Sequence, residues 1–433
     1  MKRYAKYRLS GVEWIGEMPV QWEVKRLKFN TYIKARVGWH GLRADEFSLT
    51  EGVYCVTGTD LQNGEVSWEN CYRVSEERYE EDPYIQLREN DLLITKDGTI
   101  GKVAIVRNLN ERATLNSGVF VVRPERKEYV TPFMYWALQS PVFSEYVNYT
   151  SKGSTINHLY QETFFNLPFI LPEIDEQTAI AAYLDEKIVQ IDTLTANKQN
   201  LIKLLKEERT AIINHAVTKG INPTVKLKPS GIDWLGDIPE HWEVMKLKYL
   251  TGILSGFSPE QCQPSESGGT IPYIKVDNLN VEHSGIDKTK EFTTEEFIVS
   301  FRPSILFPKR GAAIAINKVA LVNEPFSMDT NIMGLELKSD EIDIKFIYYF
   351  LKSISLISIA DTSTIPQINN KHIEPLAIPF LDICEQKEVV AFIENETQRI
   401  DATISKIDKE IELMQEYRTA LISEVVTGKI KVI

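Results

Sequence analysis

The stretch SGVEWIGEMPVQWEVKRLKF, residues 10–29, returns almost unchanged as SGIDWLGDIPEHWEVMKLKY, residues 230–249. The two copies lie 220 positions apart in a chain of 433 residues, so the same unusual segment opens each half. A period this long indicates a duplicated domain rather than a stack of short repeats. Each copy carries two tryptophans at identical spacing, which predicts packing in a shared scaffold for Trp14, Trp22, Trp234 and Trp242.

Two further segments repeat, at a spacing of 209 positions. GSTINHL from Gly153 matches TSTIPQI from Thr362, and ERTAIINHAVTKGI from Glu208 matches YRTALISEVVTGKI from Tyr417. Between these anchors the halves differ in sequence and length. The pattern therefore indicates a common frame at the front and back of each half, with a specialised middle.

The back of each half has the heptad periodicity of a long helix that packs on another helix. Each such helix is expected to run for about 40 residues, roughly 60 Å, because Pro and Gly are absent until Gly220 and Gly428. Matching registers predict that the two helices pair as an antiparallel coiled coil about a pseudo-two-fold axis. The predicted interface residues are Leu184, Ile188, Ile191, Ile202, Leu205, Arg209, Ile212, Ile393, Ile400, Ile404, Ile407, Ile411, Met414, Arg418 and Leu421.

The middles are rich in short β-branched runs that Gly, Asp and Asn interrupt, such as DLLITKDGTIGKVAIV and SILFPKRGAAIAINKVALV. The predicted fold class is therefore mixed α/β, of the α+β kind, with two domains separated by two long antiparallel helices. The expected divisions are a first domain at 1–172, a helix at 173–221, a linker at 222–230, a second domain at 231–381 and a second helix at 382–433.

Composition restricts the function. No run of about 18 apolar residues and no secretory leader is present, so we expect a cytoplasmic protein without membrane contact. Four cysteines without a CxxC pair, and six scattered histidines without HExxH, predict no metal site. The net charge of −12 argues against nucleic acid only weakly, because binding uses one face while acidic helices elsewhere dominate the total.

Motifs for catalysis are missing. Gly98 to Val103 lacks the spacing of a phosphate-binding loop, and Asp82-Pro83-Tyr84 is one proline short of the (D/N)PP(Y/F) motif of adenine methyltransferases. Glu23-Val24-Lys25 hints at a nuclease site, but its repeat at Glu243-Val244-Met245 has lost the lysine. A chain that cleaves or methylates DNA alone is therefore disfavoured, and we expect no catalytic residues.

The repeated segments at 11–29 and 231–249, with IDTLTANKQNLIKLLKEERTAIINHAVTKGI and IDATISKIDKEIELMQEYRTALISEVVTGKI, resemble the specificity subunit of type I restriction-modification systems over essentially the whole chain. The resemblance implies two target recognition domains that read the two halves of a split double-stranded DNA target. It also implies two methyltransferase subunits that modify adenine with S-adenosylmethionine, restriction subunits that use ATP and Mg²⁺, and no cofactor in this chain.

DNA contact is then expected in the loops of the middles, where Lys and Arg bind phosphates or guanine and Asn binds adenine. The candidate residues are Lys96, Gly98, Lys152, Ser154, Thr155, Lys275, Lys309, Arg310, Asn331, Ser363 and Thr364. At the helix seam, Arg209 and Arg418 are expected to pair with acids of the opposite helix or of a methyltransferase subunit. The competing interpretation is a coiled-coil scaffold that joins protein partners and retains no DNA, which suits the acidic charge.

Overall fold

The computed structural model describes residues 2–37, 41–150, 158–280, 285–361 and 365–432. Contacts divide the chain into two units, the first formed by 1–198 with 409–433 and the second by 199–408. Each unit therefore contains part of both long helices, whereas the sequence divisions at 173 and 382 assign each helix whole. The termini belong to the first unit, where the backbones of Lys2 and Lys431 form a β-bridge.

In the first unit, a run of strands comes before the first α-helix, and further strands and short helices follow up to the first long helix. The strands are β1 (Tyr7–Leu9), β2 (Glu17–Pro19), β3 (Glu23–Arg26), β4 (Thr31–Lys34), β5 (Val53–Val56), β6 (Leu61–Gln62), β7 (Glu65–Val66), β8 (Tyr72–Val74), β9 (Leu92–Thr95), β10 (Val103–Ile105), β11 (Ala113–Leu115), β12 (Val119–Pro124) and β13 (Pro168–Leu171). The helices are α1 (Glu76–Glu80), α2 (Thr131–Gln139), α3 (Pro141–Thr150), α4 (Gln161–Phe165) and α5 (Ile174–Lys219), of which α5 continues into the second unit.

The second unit also begins with short strands and ends with a long helix, but short helices lie among its strands. They are β14 (Leu227–Pro229), β15 (Asp237–Pro239), β16 (Glu243–Lys246), β17 (Thr251–Ser255), β18 (Ile271–Ile274), β19 (Phe292–Thr293), β20 (Ser304–Pro308), β21 (Ala320–Val322), β22 (Ser327–Met328), β23 (Ile332–Leu337) and β24 (Ala377–Phe380). The helices are α6 (Leu247–Leu250), α7 (Pro259–Cys262), α8 (Ala312–Ala315), α9 (Ile344–Ser353), α10 (Leu356–Ile359), α11 (Asn370–Ile373) and α12 (Ile383–Val426), of which α12 continues into the first unit.

Both domains have a main sheet with a smaller one beside it. The main sheets have the strand orders β4-β12-β9-β10-β7-β6 and β17-β23-β20-β21, and the smaller ones β11-β5-β8 and β19-β18-β22. The central strand β9 is buried on both faces: Leu92 and Ile94 join one apolar cluster while Leu93 joins another. In β20, Ile305 and Leu306 divide in the same way. The two-residue period of a strand produces this division, so each sheet separates two cores.

Each repeated segment, together with the strand just before it, forms a hairpin, β1-β2 or β14-β15, that anchors the start of a long helix. The indole Nε1 of Trp22 donates to the Glu176 carboxylate at 2.8 Å, and that of Trp242 donates to the Glu385 carboxylate at 3.0 Å. Both indoles are fully buried. The prediction that the four repeated tryptophans pack in the scaffold is wrong for Trp234, whose side chain is 50% exposed. It lies in the hairpin turn, where its ring contacts that of Phe350.

The same hairpins close the ends of the long helices. Gly220 follows α5 and Gly428 follows α12, with φ of +77° and +73°. This left-handed conformation stops a helix and favours glycine. At Gly428, a Cβ atom would lie 2.5 Å from Pro19 and 2.8 Å from Trp22, so the hairpin also leaves no room for a side chain.

A buried glutamine in the first turn of each long helix ties it to the adjacent domain. Gln177 accepts a hydrogen bond from the backbone N–H of Val130 at 2.9 Å and donates to two carbonyls. Gln386 does the same, accepting from Asp343 at 2.7 Å. Each long helix, of 46 residues in α5 and 44 in α12, is thus fixed at its first turn to the domain that precedes it.

Candidate nucleic-acid interface

The candidate interface of the first domain lies where β9 ends. Beyond Thr95 the chain continues through Lys96 and Asp97, and two backbone hydrogen bonds of 2.9 Å hold it in place. The Lys96 N–H donates to the Gly118 carbonyl just before β12, and the Leu159 N–H donates to the Lys96 carbonyl. Three segments distant in sequence therefore meet at the carboxyl end of β9.

The side chains at this junction carry both charges. The Lys96 ammonium lies 5.4 Å from the centroid of the Phe120 ring, a cation–π distance. The Asp97 carboxylate is hydrogen bonded through Oδ1 to Nδ1 of His158. Gly98 is exposed, with φ of +68° and open space where a Cβ atom would lie, so its left-handed backbone suits a turn.

The second domain builds the same junction at the end of β20. The Lys309 N–H donates to the Asn331 carbonyl at 2.7 Å, and the Ile368 N–H donates to the Lys309 carbonyl at 2.8 Å. Lys96 and Lys309 therefore occupy equivalent positions, as do Gly118 and Asn331. The residue after this lysine is Asp97 in the first domain and Arg310 in the second. The two junctions therefore have the same backbone arrangement but side chains of opposite charge at this position.

Burial, followed by the charge of the neighbouring Arg310, lowers the pKa of Lys309 below its ordinary value of 10.5. Arg310 is exposed, and its backbone bridges Gln367 just as Asp97 bridges His158. Asn331 donates through both its backbone and side-chain nitrogens to Oδ1 of Asp329 at 2.6 Å. Its amide is thus held against the junction rather than extended from it.

Lys275 lies on a neighbouring loop after β18. Its ammonium forms a 2.7 Å ion pair with Glu291, and its backbone N–H donates to the Asn278 side chain at 2.8 Å. In the first domain, Thr57 donates equivalently to Asp60 at 2.7 Å. Contact of Lys275 with DNA would therefore have to replace an existing ion pair. Five predicted residues lie outside the described parts of the chain: Lys152, Ser154, Thr155, Ser363 and Thr364.

Sequence reasoning missed the pairs Asp97 with His158 and Arg310 with Gln367. A signal was available, because His158 and Gln367 occupy the same place in the repeated segments that begin at Gly153 and Thr362. No periodicity, however, indicates that this segment returns to the end of β9 or β20. That neighbourhood arises from long-range backbone hydrogen bonds.

The long helices pair in antiparallel fashion within each unit. In the first, Arg418 binds Asp192 at 2.8 Å and Lys198 binds Glu410, so residue numbers fall on one helix as they rise on the other. In the second, the Arg209 guanidinium lies 3.2 Å from the Asp401 carboxylate.

The predicted seam residues divide by depth of burial. The buried ones are Leu184, Ile188, Ile393, Ile400, Ile407, Ile411 and Leu421, and the half-buried ones are Ile191, Ile202, Leu205, Arg209, Ile212, Ile404, Met414 and Arg418. Near the end of α5, the buried residue is Ile213 rather than Ile212, because that turn packs on the second domain.

Two further findings concern sites of other kinds. Across the described ranges, no group of three or more His, Cys, Asp or Glu side chains is placed to hold a metal ion. Among the helices so described, none is long and apolar enough to cross a membrane.

The chain has two mixed α/β domains that share hairpins and long helices but differ in the side chains of their loops. This combination is that of a two-domain recognition protein. The family model of the type I restriction modification DNA specificity domain matches residues 44–204 and 239–413. The specificity subunit of type I restriction enzyme MjaVIII from Methanocaldococcus jannaschii is 26% identical, over 96% of this chain and 94% of that protein.

Solved structures have the same fold. One comes from work on complex assembly and conformational transition of the type I R-M system, with a TM-score of 0.76 and 14% identity over 95% of this chain and 99% of the other. The HsdS subunit from Thermoanaerobacter tengcongensis gives 0.59 and 14%, over 95% and 98%.

The chain belongs to the type I restriction-modification DNA specificity family. The predicted family, fold class and recognition function are confirmed. In such a system this subunit recognises the DNA target and is the non-catalytic, targeting component. Its family implies DNA and the methyltransferase and restriction subunits as partners, and no cofactor of its own.

Proposed function

We propose that this chain reads a bipartite double-stranded DNA sequence, one half-site for each domain, and directs adenine methylation and cleavage by its partner subunits to that sequence. The domains are assigned to 1–172 and 231–381, with helices at 173–221 and 382–433 and a linker at 222–230. The observation that carries the proposal is the repeated junction at β9 and β20, whose backbone is the same and whose side chains differ.

A common backbone with unlike side chains suits two readers of unlike sequences. Phosphate contacts position a protein on DNA, whereas side chains that reach base edges specify the sequence. Lys96 and Lys309 are equivalent and suit the first role, while Asp97 and Arg310 are unlike and suit the second. The proposed DNA-binding set remains Lys96, Gly98, Lys152, Ser154, Thr155, Lys275, Lys309, Arg310, Asn331, Ser363 and Thr364.

The net charge of −12 is compatible with this assignment because part of it lies on the long helices, away from the candidate loops. The helix α12 alone carries ten Asp and Glu against five Lys and Arg. Phosphate binding depends on the local field of the contacting face rather than on the total charge.

The long helices provide the surface for protein partners. Each unit exposes large apolar side chains on them: Val189, Leu194, Leu413 and Tyr417 in the first, and Leu201, Leu204 and Phe392 in the second. Exposed apolar patches rimmed by polar residues mark sites of protein–protein interaction. One such face in each unit supports two methyltransferase subunits per chain, with restriction subunits added to that assembly. S-adenosylmethionine, ATP and Mg²⁺ then belong to those partners, and the complex acts in the cytoplasm.

Genome-wide adenine methylation tests the proposal in cells that express this chain with its methyltransferase subunit, compared with cells that lack the chain. We expect a split motif that appears only with the chain. Absent or unsplit methylation, together with no salt-dependent retention of DNA by the purified complex, would favour a coiled-coil scaffold instead.

A further inference from the structure

We propose that Asp97 and Arg310 are the equivalent specificity-determining residues of the two half-sites. Asp97 accepts a hydrogen bond from the exocyclic amino group of a cytosine, and Arg310 donates to the O6 and N7 atoms of a guanine. This inference rests on the proposed function and adds the chemistry of one base pair in each half-site.

The equivalence of the two positions comes from the backbone. Each residue follows a lysine whose backbone N–H donates to the residue just before a neighbouring strand, β12 or β23. The carbonyl of the same lysine accepts from the segment just before a short helix, α4 or α11. Each also forms an isolated β-bridge, Asp97 with His158 and Arg310 with Gln367. Two side chains that leave the same backbone at the same point approach a bound duplex in the same way.

Their chemistry is opposite. Both residues are exposed, yet one ends in a carboxylate that only accepts and the other in a guanidinium that only donates. In the major groove, an Asp or Glu accepts from the cytosine amino group, and Arg forms two hydrogen bonds with guanine. A phosphate contact cannot explain both residues, since a carboxylate beside the DNA backbone is repelled.

The Asp97 carboxylate is also oriented for such a contact. Its Oδ1 atom is held by Nδ1 of His158, and Oδ2 has no hydrogen bond within the described ranges. The His158 ring in turn contacts the Tyr160 ring, with centroids 4.5 Å apart. His158 is therefore a positioning residue that leaves one carboxylate oxygen available for a base.

Arg310 is prepared differently. Its guanidinium has no hydrogen bond or ion pair to any of the residues that the structure describes, and nearby Lys371 instead binds the Asp361 carboxylate at 2.8 Å. A guanidinium with all its donors open is suited to bidentate recognition.

The test uses the complex of this chain with its methyltransferase subunit on duplexes that carry every single-base change in the wild-type motif. Asp97→Asn keeps the shape but adds a donor, and Arg310→Gln removes the guanidinium. We expect each variant to lose roughly 5- to 150-fold discrimination at one base pair, in different half-sites. Each relaxed position should be a G·C pair of the wild-type motif, and an A·T pair at either position would overturn the assignment for that residue.

Asp233→Asn and Arg302→Gln are matched controls, since each makes the same replacement at an exposed residue away from the junctions. Both controls should leave the motif unchanged. A uniform fall in methylation at an unchanged motif, for either Asp97→Asn or Arg310→Gln, would overturn the assignment for that residue and indicate a structural or phosphate role. A wild-type complex without a split motif would instead contradict the proposed function itself.

Discussion

Replacement of Gln386 by leucine should loosen the start of α12. The side chain is 0% exposed and accepts from the Asp343 N–H at 2.7 Å while donating to the carbonyls of Glu341 and Leu381 at 2.9 and 2.8 Å. Leucine fills a similar volume but makes no hydrogen bond. One backbone N–H and two carbonyls would then lose these partners, with the Leu381 carbonyl fully buried.

The expected magnitude follows from those three bonds. Each contributes about 1 kcal/mol net, and a buried polar group left without a partner costs about 1–3 kcal/mol. A total of about 3 kcal/mol corresponds to roughly a hundredfold increase in local opening. The loss is concentrated where the first turn of α12 meets residues 341–343.

Hydrogen exchange of the purified chain measures this opening at individual amides. Exchange at Asp343 should accelerate by about two orders of magnitude in Gln386→Leu. The control Gln398→Leu alters an exposed glutamine of the same helix. It should change the free energy of local opening by less than about 0.5 kcal/mol. Unchanged protection of Asp343 in Gln386→Leu would show that the three bonds do not hold the helix start.

Three further outcomes are expected. In urea unfolding, Gly428→Ala should destabilise the chain by about 1–3 kcal/mol more than Gly11→Ala. Both glycines have positive φ, but of the two only Gly428 has atoms closer than 3 Å to the position of an added Cβ. Equal losses of stability would contradict this steric explanation. Burial, followed by the charge of a neighbouring arginine, lowers the pKa of Lys352 to about 8 from 10.5. Between pH 8 and 10.5 the unfolded chain holds a proton on Lys352 that the folded chain has released, so the free energy of unfolding should rise with pH. Lys352→Met should abolish this contribution in unfolding experiments at pH 7–10. A double-mutant cycle on Arg418 and Asp192 should give a coupling of about 0.2–1 kcal/mol, since both side chains are partly exposed; a value above about 2 kcal/mol would contradict a surface ion pair.

The repeated segments predicted more of the scaffold than of the interface. Trp22 and Trp242 are buried as expected, but Trp234 is half exposed although its sequence environment matches that of Trp14. A turn residue is buried only if another element covers it, and no local pattern specifies that cover. Likewise, Gln177 and Gln386 follow helix starts that sequence predicts, yet their backbone partners come from other elements.

In the candidate interface, the sequence predicted the basic residues but not the acidic one. Lys96, Lys309 and Arg310 were predicted because basic residues in glycine-rich loops suit DNA. Asp97 was overlooked because an acid is the wrong charge for phosphate. Only its equivalence to Arg310 in three dimensions indicates a base contact.

The sequence by itself determined the duplication, the two long heptad helices, the strand-rich middles and the absence of catalytic motifs, because repeats and periodicities are local properties of the chain. The tertiary structure alone decided that each unit takes part of both helices and that residues near 96, 118 and 158 meet at one point. Such meetings depend on backbone hydrogen bonds and burial between segments far apart in the chain. No local period encodes them.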